Sequence, residues 1–211
     1  MNREGTVYTI VFVFIVSFAF VLLLSLTNQA TIEQVELNRE IVRQGAILSA
    51  MGIDAEGSEE IQETYDSVAA DPDAGLYVAT INGQVVYGTQ FAGPGLWGTI
   101  EGVLAVTGDL TEVVGIEIVS DNETPGLGGR INESWFKDQF RGERVADDGI
   151  TVTQTAGDGD PNPANSLVDG ITGATRTSDS MEAIVNRELQ RLRSAEIQQI
   201  LRSLESQGGN A

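Results

Sequence analysis

The 211-residue sequence contains no cysteine and no histidine. Their absence excludes disulfide bonds, Cys/His zinc sites, iron–sulfur clusters, c-type haem and nucleophilic catalysis that relies on a histidine base. We therefore expect no metal site and no catalytic side chain. If the protein moves electrons, it needs an organic cofactor to do so.

Basic residues are also scarce. Twelve Lys and Arg against 31 Asp and Glu give a formal net charge of −19, and Lys137 is the only lysine. Because nucleic-acid binding depends on cationic contacts with phosphates, a nucleic-acid partner is excluded. An acidic, lysine-poor composition favours a protein bathed in concentrated salt, where screening weakens self-repulsion, over an acidic protein of an ordinary cell.

One long uncharged run, residues 7–26, lies near the N-terminus. A run of about 20 residues crosses a ~30 Å hydrocarbon core as a helix, whereas a cleaved signal peptide has a shorter apolar region followed by a small-residue cleavage site. We therefore expect a retained single-pass anchor in the inner (plasma) membrane. Arg3 precedes the run, while Glu33 and Glu36 follow it, so the positive-inside rule predicts an extracytoplasmic domain.

Helix signals follow the anchor, and strand signals come next. Thr31 and Gln34 have capping-box spacing, which predicts a helix from residue 31 to about residue 51, with a second short helix near Ile61. Asn82-Gly83 is a strong hairpin signal between two apolar segments. The predicted strands are residues 76–81, 85–91, 97–106 and 113–120.

The C-terminal half returns to helices. Asn132 is the predicted cap of a short helix at residues 133–140, and residues 156–166 read as a loop. Thr177 is the predicted cap of a long final helix, which residues 194–206 extend. The apolar face of that helix comprises Met181, Ile184, Val185, Leu189 and Leu192.

The order of these elements predicts an α+β fold, in which an N-terminal transmembrane helix precedes one domain with an antiparallel sheet flanked by helices. We divide the chain into four parts. They are an N-terminal tail and anchor at 1–30, a helical connector at 31–70, the domain at 71–193 and a C-terminal helical extension and tail at 194–211.

The strongest chemical signal is D-G-I-T-G-A-T at residues 169–175. Its glycines allow close backbone approach, and N–H groups at a helix start suit an anion such as a phosphate, which Arg176 could pair. A capped helix start without a ligand is the alternative, because Thr and Ser are common caps.

This stretch resembles D-x-x-[ST]-G-A-T, the pattern at which a flavin transferase moves FMN from FAD onto a threonine. The pattern is found in the FMN-binding domain shared by the C subunit of the sodium-translocating NADH:quinone reductase and the G subunit of the Rnf complex. The resemblance implies covalent FMN, held as a phosphodiester on Thr175. It assigns Asp169 to recognition by the transferase, and Thr172, Gly173 and Ala174 to the shape of the loop.

Two further stretches support the resemblance. Residues 123–129 resemble the E-T-P-G-L-G loop that lies against the flavin in these families, which makes Glu123, Thr124 and Leu127 candidate contacts. A plain Pro-Gly turn is the alternative. Residues 93–98 resemble the G-x-G-L-W stretch of the sodium-pump protein, which makes Trp97 a candidate contact, although a buried strand residue is the alternative.

The resemblance covers residues 5–193 and implies an electron-carrying subunit of a membrane-bound, ion-translocating NADH:quinone oxidoreductase. As a redox subunit it would have no turnover alone. Its partners would be the other subunits of the respiratory complex and, during maturation, the flavin transferase. The alternatives are the G subunit of an Rnf-type complex, a free-standing flavinylated extracytoplasmic carrier, and an anchored binding or scaffold protein in which D-x-x-T-G-A-T occurs by chance.

Overall fold

The computed structural model describes residues 5–154 and 159–208. Arg3 and the first residues of the predicted loop at 156–166 therefore lie outside the described residues. The chain forms two compact units, one ending at Ile41 and the other beginning at Val42. The second unit contains the sheet and the candidate site.

A single helix, α1 (Thr6–Ala50), replaces the predicted anchor and the predicted separate helix. The predicted helix start at Thr31 is wrong, because its hydroxyl donates to the Thr27 carbonyl at 3.0 Å inside a continuing helix. Residues 6–44 contain neither glycine nor proline, so nothing interrupts helix propagation. In the described part of the chain, only α1 is long and apolar enough to cross a membrane.

A five-stranded antiparallel sheet in the order β1-β2-β3-β4-β5 forms the centre of the second unit. Its strands are β1 (Ala69–Asp71), β2 (Leu76–Ile81), β3 (Gln84–Pro94), β4 (Thr99–Thr107) and β5 (Val113–Ser120). The predicted hairpin is confirmed: Ile81 pairs with Gln84, and Asn82 and Gly83 both have positive φ, as a tight two-residue turn requires. The prediction missed β1, which has three residues.

Helices cover both faces of the sheet, so the predicted fold class is confirmed. The last turns of α1, with α2 (Gly57–Asp66), pack Ile47, Leu48 and Met51 on one face. The helices α4 (Thr175–Arg193) and α5 (Ala195–Gly208) cover the other. The buried residues that line this second face include Leu76, Tyr87, Phe91, Leu104, Met181, Ile184 and Leu189.

Three local predictions differ from the structure. The short helix α3 (Ser134–Asp138) follows a 3₁₀ turn, Gly128–Asn132, and Asn132 is not its cap. The Asn132 amide instead donates to Asp121 Oδ2 at 2.7 Å, because a nearby carboxylate is the stronger acceptor. The final helix begins at Thr175 rather than after Thr177, and Ser194, in an extended conformation, separates α4 from α5.

A two-stranded parallel pair, β6 (Thr151–Thr153) with β7 (Leu167–Asp169), was not predicted. The residue before β7 is bound by a buried carboxylate, that of Glu143, which is only 1% exposed. Glu143 Oε1 accepts the Ser166 N–H at 2.6 Å, while Oε2 has no hydrogen-bond partner among the described residues. Burial, with the charge of Asp160 adding to it, raises the pKa of the Glu143 carboxyl above its ordinary value.

This raised pKa predicts a specific pH dependence of stability. Folded Glu143 binds its proton more tightly than the unfolded chain does, so its contribution is fully present below the unfolded pKa. The contribution is lost as the pH rises through the folded pKa.

The variant Glu143→Gln has no carboxyl group to titrate at this position. We expect the melting temperature of the parent, relative to that of Glu143→Gln, to rise as the pH falls from 7 towards 4.5. The measurement is thermal unfolding by circular dichroism, and the matched control is Glu101→Gln, an exposed glutamate on β4. Parallel curves for the parent and Glu143→Gln would contradict the prediction.

Candidate cofactor site

The D-G-I-T-G-A-T stretch leaves the sheet at Asp169, the last residue of β7. The buried Gln139 side chain accepts the Asp169 N–H at 2.8 Å, and the Thr153 hydroxyl donates to Asp169 Oδ1 at 3.0 Å. The next residue, Gly170, donates its N–H to the Thr153 carbonyl at 2.8 Å. Backbone and carboxylate of Asp169 are therefore both fixed where the chain turns towards α4.

The turn from Gly170 to α4 is closed by one buried hydroxyl. Ser178 Oγ accepts the Ile171 N–H at 2.9 Å and donates to the Ala174 carbonyl at 3.1 Å. Thr172 and Gly173 remain exposed, and Gly173 has a φ of +80°. Thr175, the first residue of α4, is exposed as well. Because it is exposed, it is accessible to a large reactant such as another protein.

A second loop is joined to α4 by Glu123, which is 6% exposed. Its Oε2 accepts the Thr177 hydroxyl at 2.6 Å. Its Oε1 accepts the N–H groups of Leu96 and Trp97 at 2.8 and 3.0 Å. We call this carboxylate and its three donors the Glu123 bracket. It brings together the three stretches that carry the family resemblance.

The candidate ring contacts lie on the outside of this bracket. Thr124 is exposed and Leu127 is 45% exposed, and Leu127 Cδ2 lies 3.5 Å from the place where Gly173 would carry a Cβ. Trp97 is 68% exposed and precedes β4, so the alternative of a buried strand residue is wrong. It lies in a tight turn closed by the Gly95 N–H and the Gly98 carbonyl at 2.7 Å, which excludes it from the sheet.

A cavity of about 520 Å³ lies between residues 94–96 and one face of α4, within the size range of small-molecule sites. Arg176 and Arg187 line it, together with Leu96 and Asp179. The site therefore offers the exposed residue Thr175, the guanidinium of Arg176 for a phosphate, and the apolar side chains of Leu96, Trp97 and Leu127 for a flat ring. These features fit FMN.

Comparison with known proteins supports this interpretation. Residues 95–190 match the family described as the FMN-binding domain. This part of the chain is therefore similar to an FMN-binding domain. The matched residues include the turn at Trp97, the loop at 123–129 and Thr175.

Two curated relatives are named as redox-complex subunits. The G subunit of the Na(+)-translocating ferredoxin:NAD(+) oxidoreductase complex of Acetobacterium woodii is 28% identical over 84% of this chain and 86% of that protein. The C subunit of the Na(+)-translocating NADH-quinone reductase of Pseudomonas aeruginosa is 37% identical over 44% of this chain. The aligned part is only 38% of the length of the Pseudomonas protein.

A solved structure has the same fold. The C subunit of the Na(+)-translocating NADH-quinone reductase from Parabacteroides distasonis superposes with a TM-score of 0.62, at 22% sequence identity. The match covers 74% of this chain and 92% of that chain. The two proteins therefore share a fold.

The structure brings most of the predicted residues to one place and adds several that the sequence did not indicate. Leu127 lies next to Gly173, and the Glu123 bracket joins the turn at Trp97 to the first turn of α4, whereas Asp169 lies at the end of β7. The additional residues are Gln139, Thr177 and Ser178, all buried. Thr177 and Ser178 follow the motif after Arg176, but only their side-chain partners distinguish them from ordinary helix caps.

The exposed residues of the loop at 123–129 generate a prediction about the cofactor. Leu127→Ala and Thr124→Val remove an apolar contact and a hydroxyl without touching Thr175. A lost hydrogen bond is worth about 0.5–1.5 kcal/mol, so we expect a small shift of the flavin's potential and absorption while the flavin stays bound. A redox titration of each variant beside the parent measures the effect. If potential and spectrum stay the same in both variants, the loop is a structural turn.

Proposed function

We propose that the protein carries FMN covalently on Thr175 and serves as an electron carrier in a membrane-bound redox complex. The observation that carries the proposal is the match of residues 95–190 to the FMN-binding domain. The exposed threonine at the start of α4, which ends D-G-I-T-G-A-T, supports the attachment point. In the proposed maturation step, a flavin transferase joins the Thr175 oxygen to the FMN phosphate of FAD. AMP leaves, and the threonine proton is released.

FMN, when bound, accepts and releases electrons, and this is the only redox chemistry that the site needs. The residues of the chain would hold and shield it. Arg176, which lines the cavity, would balance phosphate charge, and Leu96, Trp97 and Leu127 would provide apolar cover. Electron transfer requires no catalytic acid or base, which agrees with a sequence that contains no histidine.

Replacing Thr175 tests the attachment point. Thr175→Ala, co-expressed with the flavin transferase, should contain no covalent flavin, because the accepting oxygen is gone. Thr99→Ala, which removes another exposed threonine, should be labelled like the parent. The readouts are intact mass and in-gel flavin fluorescence after denaturation. A fluorescent Thr175→Ala band would place the bond elsewhere.

We further propose that α1 anchors the protein in the inner membrane with the domain on the extracytoplasmic side. The long apolar helix and the position of Arg3 before it support this orientation. Protease added to spheroplasts should digest the domain without lysis. A domain that becomes sensitive only after lysis would reverse the orientation and remove an external flavin transferase from the scheme.

Two complexes are candidates for the assembly. The G-L-W sequence at residues 95–97 and the 37% identity to the Pseudomonas protein favour an ion-translocating NADH:quinone oxidoreductase. Alignment over 86% of the Acetobacterium protein favours an Rnf-type complex as the second candidate. An assay of the chain purified with its partners separates the two complexes. It compares NADH:quinone oxidoreductase activity with ferredoxin:NAD oxidoreductase activity. Activity with neither pair would favour a free-standing flavinylated carrier.

A further inference from the structure

The carboxylate of Glu123 is fully engaged inside the protein. Two backbone N–H groups reach Oε1, and the Thr177 hydroxyl reaches Oε2. The Glu123 backbone is fixed too, since its N–H donates to Asp121 Oδ1 at 2.8 Å. A carboxylate that accepts three internal hydrogen bonds at 6% exposure is oriented towards the protein, not towards a ligand outside.

The surroundings leave little room for movement of this carboxylate. A Cβ on Gly95 would lie 2.5 Å from Glu123 Oε1, and a Cβ on Gly128 would lie 2.6 Å from Oε2. The same added Cβ on Gly128 would lie 2.5 Å from the Thr177 hydroxyl. Gly95 and Gly128 therefore pack directly against the carboxylate of the bracket. Neither loop can shift without breaking one of these contacts.

We propose that Glu123 is a positioning residue for the flavin site. Its carboxylate ties the turn that carries Trp97 to the first turn of α4, which carries Thr175. It sets the distance between the attachment point and the exposed apolar side chains. The proposal rests on the proposed FMN attachment at Thr175, and it changes the expected role of Glu123 from a ring contact to a residue that acts through Trp97 and Thr177.

This role follows from what holds Trp97 in place. The Trp97 side chain is 68% exposed, so packing alone does not fix it. Its backbone N–H and that of Leu96 are both held by Glu123, two residues before β4 begins. The same carboxylate accepts the hydroxyl of Thr177, two residues after Thr175. A displacement of the turn at Trp97 is therefore transmitted to α4, and a displacement of α4 is transmitted to the turn.

The test uses the full-length protein and three readouts, which are amide hydrogen exchange, the rate of flavin labelling and the visible circular dichroism of the flavin. In unloaded protein, amide hydrogen exchange across residues 95–98 should lose its protection in Glu123→Ala, because the acceptor of two N–H groups is gone. With the flavin transferase and FAD, Glu123→Ala should be labelled roughly a hundredfold more slowly, as expected for a reactive group displaced by about 1 Å. Any flavin that is attached should lose its visible circular dichroism.

Three further variants keep the test decisive. Glu101→Ala, an exposed glutamate on β4, should match the parent in every readout. Glu123→Gln should keep the protection of residues 95–98, because its amide oxygen still accepts the two backbone N–H groups. Its NH2 group can donate to the Thr177 hydroxyl, which then accepts instead of donating. If Glu123→Ala does not fold, Glu123→Asp replaces it, since the shorter carboxylate cannot reach the turn and Thr177 together.

Two results would overturn the proposal. One is unchanged exchange in a folded Glu123→Ala or Glu123→Asp protein. The other is lost protection with a normal labelling rate and normal flavin dichroism, which would leave the bracket with a structural role only. A parent that takes up no FMN on Thr175 is a different failure. It would remove the proposed function while the exchange result still reports on the bracket.

Discussion

A carboxylate taken out of water must be matched by donors, because an unmatched buried charge destabilises a fold by several kcal/mol or more. Glu123 is matched by two backbone N–H groups and one hydroxyl, which come from two other segments of the chain. Matching this charge therefore has two consequences for the fold. It stabilises the loop that contains Glu123, and it forces the turn at Trp97 and the start of α4 to meet at that loop.

The rest of α4 is fixed to the sheet by arginines. Arg187 donates to the Ala92 carbonyl at 2.8 Å, and Arg191 donates to the Thr89 hydroxyl at 2.8 Å. Both acceptors belong to β3, the strand that leads into the turn at Trp97. Two of the chain's 12 basic residues therefore hold α4 against β3 through the several donors of their guanidinium groups. Because Thr175 is the first residue of α4, these bonds also fix its position relative to the sheet.

The sequence predicted those parts of the fold whose signals are local. Strand β2 has its predicted bounds because Asn82-Gly83 dictates a hairpin, while β6 and β7 have three residues each and pair across a long separation. The motif likewise indicated the exposed residue Thr175. It did not indicate Thr177 and Gln139, because their roles depend on partners 54 and 30 residues away, a relation that no local pattern records.

The openness of the site agrees with a covalent attachment. Pockets that hold a small molecule without a bond bury about 70–90% of its surface, since affinity must come from contact. Here the apolar groups proposed to contact the ring, namely Leu96, Trp97 and Leu127, remain 44–68% exposed, and the cavity is open to solvent. If a phosphodiester at Thr175 holds the cofactor, the loops need only orient it and need not enclose it. A ring covered on one side and open on the other stays accessible to a redox partner, which suits a carrier better than a closed pocket would.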